Sequence, residues 1–284
     1  MPSRSYTNLI TTGQLSDHLD DKGWRVVDCR FDLGAPDRCE RAFSGSHIPG
    51  AVYAHLDRDL SGPVTPRTGR HPLPDADRLR EWLGSQGISR ESQVVVYDDT
   101  GGSMAVRLWW LLRWLGHQDV AVLDGGWPAW VDAGLPVTGE VRRPRSARFA
   151  GDPDMSTVVS TRALLLPEPA RQLVDVRTAE RFRGEQEPID PVAGHIPGAV
   201  NLPLQRNLGP DGCFLSPDGL RDLYAPLIQD RRPVDLVFMC GSGVTACHGI
   251  LAMDVAGLGG ARLYAGSWSE WIRDARRPVA TGDG

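Results

Sequence analysis

Cys240 sits where residue types and spacing could do chemistry. It ends the apolar run DLVFM and opens Cys240-Gly241-Ser242-Gly243-Val244-Thr245-Ala246, after which an apolar-striped segment begins. Glycines at a strand end let successive backbone N–H groups turn inward, which makes an anion-binding nest. The N-terminus of a following helix adds partial positive charge. Both effects favour thiolate over thiol, so the segment reads as a nucleophile loop. A buried core cysteine is the bland alternative, and it leaves the flanking glycines without a purpose.

The elements that must position this loop occur twice. WRVVDCR at 24–30 returns as QLVDVR at 172–177, SGSHIPGAVY at 44–53 as VAGHIPGAVN at 192–201, and VLDGGWPAW at 122–130 as LYAGSWSEW at 263–271. Three boxes in the same order mark a duplicated domain. In each half, short unbroken apolar runs (RVVD, QVVVYD, VAVLD; LVDV, DLVFMC, ARLY) read as strands buried on both faces. Helical stretches at 75–84, 105–115 and 245–258 lie between them, which predicts α/β architecture with a parallel sheet in each half. Chemistry in such sheets sits at the carboxyl ends of strands. The segment TGEVRRPRSARFAGDPDM (138–155) has the composition of a surface connection. The division expected is 1–142 as an inactive domain, 143–157 as linker and 158–284 as the catalytic domain. Aligned from the Trp box, Asp99 stands where Cys240 stands, so the first half keeps the loop without the thiol.

Composition narrows the setting. The 284 residues are 41% hydrophobic and 24% charged, with a formal charge of −5, which suits a folded chain and argues against nucleic-acid or membrane partners. Five cysteines suggest neither a disulfide framework nor a zinc site. The N-terminal MPSRSYTNLITTGQL has no apolar core for a signal peptide, and the apolar stretch 108–115 is short and interrupted by Arg113. A reducing, cytoplasmic compartment is the expectation.

Two HIPGA boxes, CGSGVTA and the closing YAGSWSEW together resemble the tandem-domain, rhodanese-type sulfurtransferases over nearly the whole chain. The resemblance implies two rhodanese-like α/β domains with central parallel sheets, an active site between them, and transfer of a sulfane sulfur through a cysteine persulfide. No Lys or Arg occurs between Cys240 and Ala246, and this loop resembles the 3-mercaptopyruvate type more than the thiosulfate type, which carries basic residues there. Thiosulfate remains the alternative donor. Cysteine-dependent phosphatases need a longer loop closed by an arginine, which is missing here, and a non-catalytic scaffold would not need Cys240. The partners implied are a small-molecule sulfur donor and a thiol acceptor, such as a thioredoxin-like protein, or cyanide. No metal or organic cofactor is implied.

Site roles follow. The loop N–H groups of Gly241, Gly243, Val244 and Thr245 are expected to hold the persulfide and substrate, and Ser242 to relay a proton or merely to form the turn. Arg181, in VDVRTAERFRG, falls on the family's substrate-binding arginine; its bland reading is a solvated surface charge. Arg177 repeats Arg30, which suggests a structural role beside the neighbouring Asp. The family often has a further arginine before the second HIPG box. EPIDPVAGHIPG has none, so a second carboxylate anchor must come from Arg183 or elsewhere. Asp37 is the nearest match to an acidic residue of the family's proton relay. His47 is a catalytic candidate, although its repeat as His195 favours a structural hydrogen bond. The stretch GRHPLP at 69–74 is a further candidate for reaching the site, on its charge. Cys247 shares a helical stripe with Ile250, Leu251, Val255 and Leu258 and reads as core, as does Cys29. Cys39 and Cys213 lie in polar, loop-like sequence where exposure and oxidation are expected. Trp109, Trp110 and Trp114 read as helix and interdomain packing.

Overall fold

The computed structural model describes residues 5–283, so the first four residues of the N-terminal segment read above for a leader lie outside it. The chain forms two compact units. Unit 1 takes the described residues through Ser61 together with Pro74–Asp154 and Pro210–Phe214. Unit 2 takes Gly62–Leu73, Met155–Gly209 and the described residues from Leu215 onward. Each unit therefore includes a short loop from the other half of the sequence.

The sheet of unit 1 uses β1 (Leu9–Ile10), β2 (Trp24–Asp28), β3 (Val52–Tyr53), β4 (Gln93–Tyr97) and β5 (Val120–Leu123), in the order β1-β5-β4-β2-β3. Unit 2 uses β6 (Gln172–Asp175), β7 (Val200–Asn201), β8 (Leu236–Met239) and β9 (Arg262–Leu263), in the order β7-β6-β8-β9. Val158 adds a parallel bridge beside Leu263, where β1 lies beside β5 in unit 1. All strand pairs are parallel, and β4 and β8 are buried throughout, as expected of strands covered on both faces. The predicted helices appear as Ala76–Ser85, Ala105–Trp114 and Ala246–Val255. Trp109, Trp110 and Trp114 are buried on the second of these. Cys29 and Cys247 are buried core residues, and all five cysteines are free thiols.

One sequence expectation fails locally. Cys39 is buried, because 36–45 forms a helix, Pro36–Gly45, rather than a loop. Pro36 stands at its first turn, where a missing N–H costs nothing. Cys39 and Phe43, four residues apart, face the core together. Cys213 is partly exposed.

A buried ion pair recurs at the end of the first box. In unit 1, Asp28, fully buried at the end of β2, accepts from Nε and Nη2 of Arg30 at 2.6–3.0 Å and from the Arg30 backbone N–H. Arg30 also donates to the Ser46 carbonyl at 2.8 Å and lies over the Trp127 ring at 4.6 Å. In unit 2, Arg177 pairs with Asp175, donates to the Gly194 carbonyl at 2.7 Å and lies over Trp268 at 4.8 Å. Removing one partner strands a buried charge, which costs about 3–5 kcal/mol. Asp28→Ala is accordingly expected to lower the stability of the chain by about that much, read from urea denaturation. A loss under about 1 kcal/mol, the size of a surface pair, would show that the pair tethers nothing.

Candidate active site

Cys240 follows β8 directly and is 1% exposed. Its backbone is pinned on both sides by the closing Trp box. The Cys240 N–H donates to Ser267 Oγ at 3.0 Å, and its carbonyl accepts from Trp268 N–H at 3.0 Å. The Gly241 carbonyl accepts from Ser269 N–H at 2.8 Å. Ser267 is itself held at φ 52, a left-handed conformation, while its hydroxyl donates to the Tyr264 carbonyl. Gly243 turns the loop at φ +79, and a Cβ there would lie 2.2 Å from the Ala265 carbonyl oxygen. The turn aims the Gly243 N–H at Cys240 Sγ, 3.1 Å away. Gly241, Ser242, Gly243 and Val244 are buried, and Thr245 directly precedes the helix Ala246–Val255.

The sister loop of unit 1 shows what this backbone is shaped to hold. Its occupant is Asp98, not Asp99 as the Trp-box alignment suggested. The Trp127 N–H meets the Asp98 carbonyl as Trp268 N–H meets that of Cys240. Tyr97, before Asp98, accepts from Cys29 N–H just as Met239 accepts from Val176 N–H. The loop before the helix Ala105–Trp114 is one residue longer than its unit 2 counterpart, which moved the alignment by one. The Asp98 carboxylate, fully buried, accepts from the backbone N–H groups of Thr100, Gly102, Met104 and Ala105 at 2.7–2.9 Å. The nest of unit 1 is thus filled by a carboxylate, and the matching loop of unit 2 directs the Gly243 N–H at a thiol sulfur.

Side chains complete the unit 2 site. The segment Gly62–Leu73 closes on itself through Gly62 N–H and the Pro72 carbonyl at 3.0 Å. It is fixed by Arg70 N–H to Ser269 Oγ at 3.1 Å and by Arg273 to the Thr68 carbonyl at 3.1 Å. Gly69 permits this approach, since a Cβ there would lie 2.6 Å from the Gly266 carbonyl oxygen. The segment brings His71 Nδ1 to 2.7 Å from Ser242 Oγ. It also brings Arg70 to the loop: a Cβ on Gly241 would lie 2.9 Å from Arg70 Nη2 and 3.6 and 3.7 Å from the two terminal nitrogens of Arg181. Asp190 joins Arg70 to Arg181, and Glu187 pairs with Arg181 at 2.7 Å. Burial opposes ionisation of Glu187, but the Arg181 guanidinium and the N–H groups of Asp190 and Ile189 outweigh it and hold the carboxyl below its ordinary range. Burial pushes the Asp190 carboxyl up, against the pull of Arg70.

The structure brings together Cys240, Gly241, Ser242, Gly243, Val244, Thr245 and Arg181. Arg183 is paired with Glu185 at 2.8 Å, and Arg70 is the second cation at the loop. Asp37 and His47 belong to unit 1. Asp37 is exposed in the first turn of Pro36–Gly45. His47 is fully buried, with Nδ1 2.6 Å from the Phe43 carbonyl and its ring stacked on Phe43. His195 repeats this arrangement on Phe182. Arg70 and His71 carried no sequence signal beyond the charge of GRHPLP.

The rhodanese-like domain family matches residues 11–133 and 161–274. The chain belongs to that family. It is 50% identical over 283 residues to the probable 3-mercaptopyruvate sulfurtransferase of Pseudomonas aeruginosa, covering 98% of this chain and 100% of that protein. It is 39% identical to a putative thiosulfate sulfurtransferase of Mycobacterium tuberculosis, with 90% of each chain covered. Among solved structures, the 3-mercaptopyruvate sulfurtransferase from Leishmania major superposes with a TM-score of 0.86 at 34% identity, over 98% of this chain and 77% of that one. The enzyme class expected from the sequence is the class of these relatives, and the two matched stretches fall mostly in unit 1 and in unit 2, apart from the two loops that cross between them. Gly243→Ala tests the rhodanese loop itself. It is expected to misdirect the N–H at position 243 and to slow alkylation of Cys240 by iodoacetamide at neutral pH by about tenfold or more. An unchanged rate would mean that this donor does nothing for the thiolate.

Proposed function

We propose that the protein moves a sulfane sulfur from 3-mercaptopyruvate to a thiol or cyanide acceptor through a persulfide on Cys240. The observation that carries this reading is Cys240 Sγ facing the Gly243 N–H in a loop whose sister nest holds a carboxylate. The Cys240 thiolate attacks the sulfur of the donor. A sulfur–sulfur bond forms, the carbon–sulfur bond breaks, and its electron pair leaves on carbon as the enolate of pyruvate. Arg181 and Arg70 hold the donor carboxylate, as guanidinium groups suit that geometry. Ser242 hydrogen-bonds His71 and supplies the proton that turns the enolate into pyruvate, with His71 restoring it. An acceptor thiolate, or cyanide, then takes the outer sulfur and releases the Cys240 thiolate. Loop N–H groups stabilise negative charge on sulfur in both steps.

In this reading Asp37 is a surface residue and His47 a structural one. A thioredoxin-like protein fits as thiol acceptor, and the free cysteines suit a reducing cytoplasm. Thiosulfate is the second reading, favoured by the two guanidinium groups beside Gly241. The test is thiocyanate formation from cyanide with each donor. Turnover should be much faster with 3-mercaptopyruvate and abolished by Cys240→Ser. His71→Ala should lower kcat by about 100-fold or more with that donor, leaving KM little changed. Preference for thiosulfate would overturn the donor assignment, and turnover in Cys240→Ser would overturn the persulfide.

A further inference from the structure

We propose that Asp190, supported by Glu187, sets donor choice by cancelling the positive charge beside the nucleophile loop. This inference rests on the sulfurtransferase reading above and adds the device that separates a monocarboxylate donor from a dianion.

An unbroken chain of ion pairs runs through unit 2: Asp175 with Arg177, Arg177 with Glu187, Glu187 with Arg181, Arg181 with Asp190, and Asp190 with Arg70. Three carboxylates meet three guanidinium groups, so the chain carries no net charge where it reaches Gly241. In unit 1 the corresponding pair, Asp28 with Arg30, has no second arginine bridged to it among the described residues. The extension belongs to the half that carries the thiol.

The pairing pattern is selective. Asp190, with a side chain 3% exposed, places one oxygen on Arg70 Nη1 and the other on Arg181 Nη2, the latter at 3.2 Å. Glu187 takes Nε and Nη2 of Arg181. Among the described residues no carboxylate takes Arg70 Nη2 or Arg181 Nη1, both close to Gly241, which leaves them for a ligand. Among the described residues, Arg70 Nε is buried without a hydrogen-bond partner, and the guanidinium tip carries the ion pair to Asp190. The site thus offers directed N–H donors without surplus positive charge. A carboxylate needs the donors and little more. Thiosulfate brings two negative charges to a site already fronted by a thiolate, and with the arginines neutralised its repulsion stays uncompensated. The loop lacks basic residues of its own, so the bridging acids decide how much of the arginine charge a donor feels.

The experiment measures kcat/KM for 3-mercaptopyruvate and for thiosulfate, with cyanide as acceptor, in the full-length wild type, Asp190→Asn and Asp190→Glu. Asp190→Asn should raise the thiosulfate-to-mercaptopyruvate ratio by about tenfold, chiefly through a lower KM for thiosulfate. Asp190→Glu, which keeps the charge, should keep the wild-type ratio. Glu187→Gln reports the same ratio and keeps the test open if Asp190→Asn fails to fold. An equal fall with both donors in Asp190→Asn or Glu187→Gln would show that the acids only hold the arginines in place, and would overturn the proposal while leaving the function intact. A wild type that already prefers thiosulfate would overturn both.

Discussion

A buried arginine two residues beyond a strand-end aspartate organises each unit. Arg30 and Arg177 are almost inaccessible, and a charge so placed is tolerable only when every side of it is answered. The aspartate answers one side, a carbonyl just before the HIPG box a second, and the tryptophan of the closing box a third. Three sequence boxes separated along the chain are thereby drawn to one point. This explains why they recur together and in order: none can change without leaving a charge unanswered. The Trp box, so anchored, in turn grips the backbone of the strand-end loop through Trp127 or Trp268.

On that common frame the two units differ at the loop. Unit 1 supplies its own anion, and four N–H donors converge on Asp98. Unit 2 shortens the loop by one residue and presents sulfur to the same kind of nest, with charge-balanced arginines alongside. Unit 1 is therefore a saturated version of unit 2 at this loop. Its carboxylate records the electrostatic preference that in unit 2 becomes available to chemistry.

Much of this was legible in the sequence. Buried strands announce themselves as unbroken apolar runs, and a cysteine between a strand and glycines announces a nest. Arg181 and Ser242 are candidates that the family resemblance supplies. Other parts were hidden for physical reasons. The register of Asp98 was misplaced because a loop insertion is invisible to an alignment anchored beyond it. Cys39 looked exposed because polar residues on the outer face of Pro36–Gly45 masked a short apolar stripe. Arg70 and His71 meet partners 120 and 171 residues away, and no local pattern reports such a meeting. Arg183 is the anchor candidate that the sequence names, while GRHPLP offers only its charge; packing shows that Glu185 engages Arg183 and that Arg70 faces the loop.

The loops that cross between repeat and unit give the duplication a direction. Unit 2 includes Gly62–Leu73, which carries Arg70 and His71, and unit 1 includes Pro210–Phe214, whose Phe214 N–H meets Asp124 beside the first Trp box. Each repeat thus lends a piece to the other's closing box. A gene fragment cut at the seam of the repeats would encode Cys240 and Arg181 but neither His71 nor Arg70. The first repeat, whose own loop holds a carboxylate, is therefore no spare: it carries the Arg70 and His71 that meet Asp190 and Ser242 of the second.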